Sequence, residues 1–263
     1  MIKFFRKIRY DLMEKNKTGK YLKYAIGEIV LVMVGILLAL QVNNWNENSK
    51  NKSMETDYLI RIFQDLDDDL AAFERTIDVA QSRNKRILFL QQAINDSDLA
   101  VKSSDYFIKS IIHAGWTFEP SISDYTFDEL KSSGRLVLIQ NKDLRTSLSK
   151  YYNSRHSNRQ WNYIRENVQN KYYEYSAGIL NQEHSIWVLK NDYDKNPDSI
   201  IISQYELDEV YKRFKSKEKF HQLLPQVFEV KFETIKAGER FKSEAQKLKD
   251  DIQKELDGVL TKT

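Results

Sequence analysis

YAIGEIVLVMVGILLALQV, Tyr24 to Val42, is the stretch that decides the architecture of this chain. Ile29 to Leu40 is unbroken apolar sequence, and the wider stretch is interrupted only by Gly27, Glu28, Gly35 and Gln41. Coiled as a helix, Tyr24 to Trp45 rises roughly 31 Å, about the thickness of a bilayer's hydrocarbon core. Tyr21, Tyr24 and Trp45 then stand at the two depths where aromatic anchors collect. A cleaved signal peptide is the competing reading of so short an apolar core. Against it, a long basic stretch precedes the core, and with Ala39 at −1 the −3 position falls on Leu37, so no small-x-small cleavage site forms. The expectation is a retained transmembrane helix over 24–42.

Charge orients that helix. Residues 1–23 carry Lys3, Arg6, Lys7, Arg9, Lys15, Lys17, Lys20 and Lys23 against Asp11 and Glu14, a balance of +6 in a chain whose total is +3, which leaves −3 for the rest. The basicity is a local tail beside an apolar segment and not a stripe across a folded face, which excludes nucleic acid as a partner. By the positive-inside rule the tail is cytoplasmic and the chain after Trp45 lies outside. The expected organisation is a cytoplasmic basic tail over 1–23, the membrane helix over 24–42, a polar hinge over 43–52 and a helical domain over 53–263, periplasmic in a Gram-negative cell.

Composition makes that domain all-α. The 263 residues include only 8 glycines and 3 prolines, too few breakers for a turn-rich β fold. With no cysteine at all, disulfides, thiolate nucleophiles and sulfur-ligated zinc are excluded. After the hinge, Leu59, Ile62, Leu66, Leu70, Phe73, Ile77, Ala80, Ile87 and Ile94 recur at alternating spacings of three and four, with Asn84 and Gln91 in the remaining steps. Such a seam is one face of a long helix in coiled-coil-like contact with partner helices. Over 53–95 it would reach roughly 64 Å and stand as a stalk.

The break at Asn95-Asp96-Ser97-Asp98 leads to a short helix that opens at Ser104 or Asp105 and ends near Gly115. Trp116 to Ser123 reads as a loop around Pro120. Asp124 to Ser133 reads as a helix with Gly134 as its C′ residue and Leu136 to Ile139 packing after it. Asn141 or Asp143 caps a further helix through Leu144, Leu148, Tyr151 and Tyr152 that continues past Trp161, Ile164 and Val168 to Tyr172. Asn191 to Ser203, with Pro197, reads as a loop. Two helices follow, the last over Phe220 to Leu256 with a seam at Leu224, Val227, Ile235, Phe241, Ala245, Leu248, Ile252 and Leu256. The simplest packing is an elongated bundle in which this helix runs antiparallel to the first and returns toward the membrane.

Two of these segments carry a resemblance. Tyr24-Ala25-Ile26-Gly27-Glu28-Ile29-Val30, through Gly35, to Leu40-Gln41-Val42-Asn43-Asn44-Trp45-Asn46-Glu47, resembles the N-terminal signature of an uncharacterised membrane-anchored family from Bacteroidota, domain of unknown function 6090. Thr126-Phe127-Asp128-Glu129-Leu130-Lys131-Ser132-Ser133-Gly134, followed by Leu136, Ile139 and Leu144 to Tyr152, is similar to that family's second recurring motif. The resemblance implies a retained anchor in a Gram-negative inner membrane. It implies no activity and carries over no catalytic residue.

Candidate chemistry is sparse. A carboxylate inside a membrane segment is costly, which singles out Glu28. It shares a helical face with Gly35 and Ala39, within about 20° at 100° per residue, and Gly35-xxx-Ala39 is a small-xxx-small pair suited to helix contact. The plainer reading leaves Glu28 hydrated near the cytoplasmic interface, about 6 Å of rise beyond Tyr24. Asp65, Asp67, Asp68 and Asp69 begin like a calcium loop, but Leu70 stands where the turn needs glycine and Thr76 where a bidentate glutamate is required, so a solvated helix face is expected. Asp192, Asp194, Asn196 and Asp198 fail likewise, with Pro197 and Ser203 at those two positions, and read as a turn rich in Asx residues.

His113, His156, His184 and His221 form no HExxH pair or triad spacing. Tyr151, Tyr152, Trp161, Tyr163, Tyr172, Tyr173, Tyr175 and Trp187 are interleaved with Arg155, His156, Arg159 and Arg165. Tyr152, Arg155, Arg159, Trp161 and Tyr163 are the candidate lining of a pocket for a ring-bearing or anionic ligand. The plainer reading makes the aromatics bundle core. There is no phosphate loop, nucleophile elbow or kinase motif, so no enzyme, metal or cofactor is expected.

The reading is a membrane-anchored periplasmic interaction or scaffold protein in an oligomer or envelope complex, its partners the lipid bilayer and a protein or second copy. Two other roles fit the same residues. One is an extracytoplasmic small-ligand sensor acting through a separate partner, since a tail of 1–23 is too short to fold into an output domain. The other is a subunit of an ion-coupled membrane complex, resting on Glu28.

Overall fold

A computed structural model describes residues 10, 18–117, 122–156, 159–190 and 203–260. Most of the basic tail, Pro120, and the acidic loop over 191–202 with Asp192, Asp194, Asn196 and Asp198 lie outside the described residues. No strand occurs among those described. The chain divides into two compact units, Met1–Asp57 and Tyr58–Thr263.

Helix α1, Thr18–Ala93, is 76 residues long. No glycine or proline falls between Gly35 and Gly115, so nothing removes a rung from its backbone ladder. This corrects the hinge expected over 43–52, which is not a break: those residues are helical, and Asn43 donates to the Glu47 carboxylate one turn on at 3.3 Å. Asparagines favour turns only when nothing supports the helix, and here one of them is used as a side-chain link along it. In the first unit the apolar part of α1 is long enough to cross a membrane, and its most apolar window is covered by no other described residue.

The second unit contains α2 (Ser97–Lys102), α3 (Ser104–His113), α4 (Tyr125–Ser132), a 3₁₀ turn (Arg135–Leu138), α5 (Lys142–His156), α6 (Arg159–Ser176), α7 (Gln182–Lys190), α8 (Gln204–Lys215) and α9 (Glu218–Leu260). Three starts have side-chain caps: Asp96 accepts from the Leu99 N–H at 3.0 Å, Asn141 from those of Asp143 and Leu144 at 3.1 Å, and Ser203 forms a capping box with Glu206. Gly134 closes α4 in the left-handed region at φ 70°, the C′ conformation that a side chain would strain. The single helix expected from Asn141 to Tyr172 is described as two, α5 and α6, with 157–158 between them outside the described residues.

Helices α1 and α9 pack antiparallel. Ile77 meets Gly238, Glu74 pairs with Lys242, Phe73 meets Phe241 with ring centres 5.9 Å apart, and Asp67 pairs with Lys249. From 77/238 to 67/249 the first number falls while the second rises, as opposed helices require.

Two apolar cores lie along this pair. One joins Leu59, Ile62, Leu66 and Phe73 of α1 to Phe127 and Leu130 of α4, Leu148 and Tyr152 of α5, and Ala245, Leu248 and Ile252 of α9. The other joins Ile87, Leu90 and Ala93 to Phe107 and Ile111 of α3, Tyr172 of α6, Phe214 of α8, and Phe220 and Leu224 of α9. The expected seams therefore face the core, though Leu70, Ile94, Ile235, Phe241 and Leu256 are only partly covered.

Candidate functional site

Glu28 is half-buried, Ala39 is exposed, and a Cβ added at Gly35 would meet nothing within 4 Å. Their common face thus has room for a neighbour close to its backbone.

The five residues expected to line an aromatic pocket are not gathered into one among the described side chains. Tyr152 is a core residue, stacked on Phe127 with ring centres 4.5 Å apart and edge-on to Tyr151. Tyr163, on α6, is 68% exposed. Arg155 ends in the last turn of α5, and Arg159 and Trp161 open α6, but their side chains lie outside the described ones. The remaining aromatics split: Tyr151 and Tyr172 are buried, Tyr173 is at the surface and Tyr175 is half-buried.

The Asp65–Asp69 run is not uniformly solvated, and the exception is instructive. Asp68 is exposed and Asp67 pairs with Lys249, but Asp69 is fully buried. Its carboxylate accepts the Ser123 N–H at 2.8 Å and the Tyr151 hydroxyl at 2.5 Å, fastening α5 and the segment before α4 to α1. A charged acceptor desolvated in this way holds its donors tightly, because each would lose water without replacement. Nearby, Glu129 of α4 accepts from Tyr58 at 2.7 Å and from Arg61 at 2.6 Å, and Arg135 donates to the Tyr58 oxygen at 3.0 Å. Those bonds hold the Glu129 carboxyl below its ordinary range, the Arg61 bond first. Four residues of the TFDELKSSG segment have a visible role: Phe127 and Leu130 fill the core, Glu129 clamps α1, and Gly134 ends the helix.

A cluster that sequence reasoning missed lies at the other core. Arg83 and Arg86 of α1, His113 of α3, Arg165 of α6 and Lys231 of α9 are 5, 6, 3, 8 and 1% exposed. Arg83 donates to the Trp116 carbonyl at 2.6 Å, and Lys231 donates to the same oxygen and to the Gly115 carbonyl at 3.3 Å. Gly115 lies so close to the buried Tyr172 ring that an added Cβ would sit 2.1 Å from it. Burial, with Arg83 and Arg165 beside it, pushes the Lys231 ammonium down to about 6. Burial and the same kind of neighbours, Arg86, Arg83 and Lys109, hold His113 at about 4. No group of three or more histidines or carboxylates able to hold a metal occurs among the described residues. A half-open groove of about 290 Å³ between α5 and α9 is lined by Asn141, Asp143, Leu144, Ser147, Asp251, Lys254 and Glu255.

A signal for the missed cluster was present. Counting strictly by threes and fours, the α1 seam runs through Leu59, Ile62, Leu66, Asp69, Phe73, Thr76, Ala80, Arg83 and Ile87, and the α9 seam through Leu224, Val227, Lys231, Thr234, Gly238 and Phe241. The polar members of both seams, Asp69, Thr76, Arg83, Lys231 and Thr234, are buried.

The model of a family of unknown function (DUF6090) matches residues 28–203. The chain belongs to this family. The DUF6090 match takes in the apolar segment from Glu28 onward, the rest of α1, the TFDELKSSG helix and α5 to α7, and stops before α8 and α9. Asp69, Glu129 and Arg83 therefore lie inside the matched region and Lys231 outside it. No curated protein and no solved structure matches the chain.

Proposed function

We propose that the chain is a single-span protein of a bacterial inner membrane, its basic tail cytoplasmic, whose helical domain is periplasmic and assembles with a protein partner or a second copy of itself. The observation that carries the assembly is the face of Glu28, Gly35 and Ala39. It lies on a segment apolar enough to span a bilayer, and none of the described residues covers Gly35. A glycine with open space above it lets another helix approach to backbone contact, which is how helices associate in lipid where no hydrophobic force drives them together. The charge asymmetry of the tail supports the orientation.

The chain has no cysteine, so a single introduced one reports without background. In intact cells with a permeabilised outer membrane, Ser49→Cys should react with an impermeant maleimide and Lys7→Cys should not; the reverse pattern rejects the orientation. In mild detergent the chain should migrate as a species larger than a monomer, and Gly35→Ile should shift it toward the monomer. Recovery of the unaltered chain alone, as a monomer, rejects the assembly.

A further inference from the structure

Residues 31–50 of α1 are all exposed, in the membrane segment and in the polar stretch that follows it. That polar stretch includes Asn43, Asn44, Asn46, Asn48 and Asn51, all poor helix formers, and a helix of such residues with nothing packed on it is marginal in water. A second helix alongside would supply the missing packing. Seven heptad phases can be laid over residues 43–57, each alternating steps of three and four. Six of them put Glu47, Lys50, Lys52, Glu55 or Asp57 into the seam, and the seventh, through Asn46, Ser49, Ser53 and Thr56, carries no charge. Continued toward the N terminus, that seventh phase passes through Val42, Ala39, Gly35, Val32 and Glu28. The uncharged face of the polar stretch and the small-residue face of the membrane segment therefore follow one heptad count.

We infer that residues 32–56 form a parallel, in-register coiled coil with the same residues of a second copy of this chain, along that seam. The inference rests on assembly in the membrane, and it names the occupant of the open face. Two copies anchored with the same orientation can pair these helices only in parallel. The flanks of the seam are complementary in that arrangement. Lys52 precedes the seam residue Ser53 and Asp57 follows Thr56; both are exposed, and in a parallel pair these two positions face each other between chains as opposite charges. Trp45, 74% exposed, faces Lys50 of the second copy in the same way, a ring beneath a cation. Asn46 occupies the seam position where an asparagine bonds its counterpart and fixes a two-stranded register. Gly35 and Ala39 let the backbones approach within the lipid.

The test is cross-linking of single cysteines by copper phenanthroline in the full chain in native membranes, resolved without reductant. Asn46→Cys and Ser53→Cys should form disulfide-linked dimers at least about fivefold faster than Asn48→Cys and Asn51→Cys, which point away from the seam. In the Ser53→Cys chain, Lys52→Asp sets like charges against each other and should slow the cross-link about threefold, and adding Asp57→Lys should restore it. Equal rates at all four positions, a faster rate at 48 or 51, or no recovery with the second charge change overturns the coiled coil. Assembly as such survives those results if the unaltered chain still migrates above the monomer in mild detergent. A monomer there, with no cross-link at any position, rejects both.

Discussion

Lys231 sits where α9 meets Arg83 of α1, and its ammonium donates to two carbonyls of the Gly115–Trp116 turn. Its ordinary value of 10.5 is brought to about 6 by burial and by the two arginines. The unfolded chain therefore binds this proton below about pH 10, the folded chain only below about 6. Across that window the unfolded state carries the extra proton, so stability falls as pH falls and levels off below 6. Urea unfolding of the wild type should lose up to about 1.4 kcal/mol per pH unit on going from pH 9 to 6.5, and Lys231→Met should flatten that slope. An unchanged slope in the variant would assign the dependence elsewhere. His113 contributes in the same direction, between its ordinary 6.5 and about 4. The burial of Lys231, Arg83 and Asp69 was legible only from strict heptad phase, because residue type argues the other way: charged side chains are rarely buried unless a partner is in place, and the partners come from distant helices.

At the scale of elements, the seams of α1 and α9 follow from apolar spacing, and their opposed direction is the simplest packing of the bundle. The closeness of the pair does not. Gly238 would place a Cβ 2.8 Å from the Ile77 side chain, so the two helices meet across a glycine that helix propensity alone disfavours. Two effects oppose each other in Gly238→Ala: about 1 kcal/mol of regained propensity against about 1–3 kcal/mol of overpacking. The informative quantity is the coupling. In an Ile77→Ala background the clash disappears, and Gly238→Ala should become neutral or stabilising by urea unfolding; equal effects in both backgrounds would mean the contact is absent. The single helix expected from Asn141 to Tyr172 is helical over 142–156 and 159–176, with 157–158 outside the described residues. The hinge expected at 43–52 rested on polarity, and polarity without a breaker does not end a helix.

For the whole molecule, the two cores both lie within Tyr58–Thr263, together with the Asp69 and Glu129 clamps that fasten α4 and α5 to α1. That unit should fold without the membrane segment. A chain of residues 58–263 is expected to be soluble, to unfold in one cooperative transition, and to keep its Tm within a few degrees of the full chain in detergent; aggregation or a non-cooperative loss of helix would contradict it. Sequence alone determined the helical class, the apolar segment able to span a membrane and the faces of the two long helices, because each depends on the order of side chains along one backbone. Only the tertiary structure decided that Asp69 is a buried acceptor, that Tyr152 is core while Tyr163 is surface, and that Arg83, His113 and Lys231 meet at one turn. Those outcomes depend on which remote helices supply a hydrogen bond or exclude water, and such distances are set by packing across the chain and not by neighbours within it.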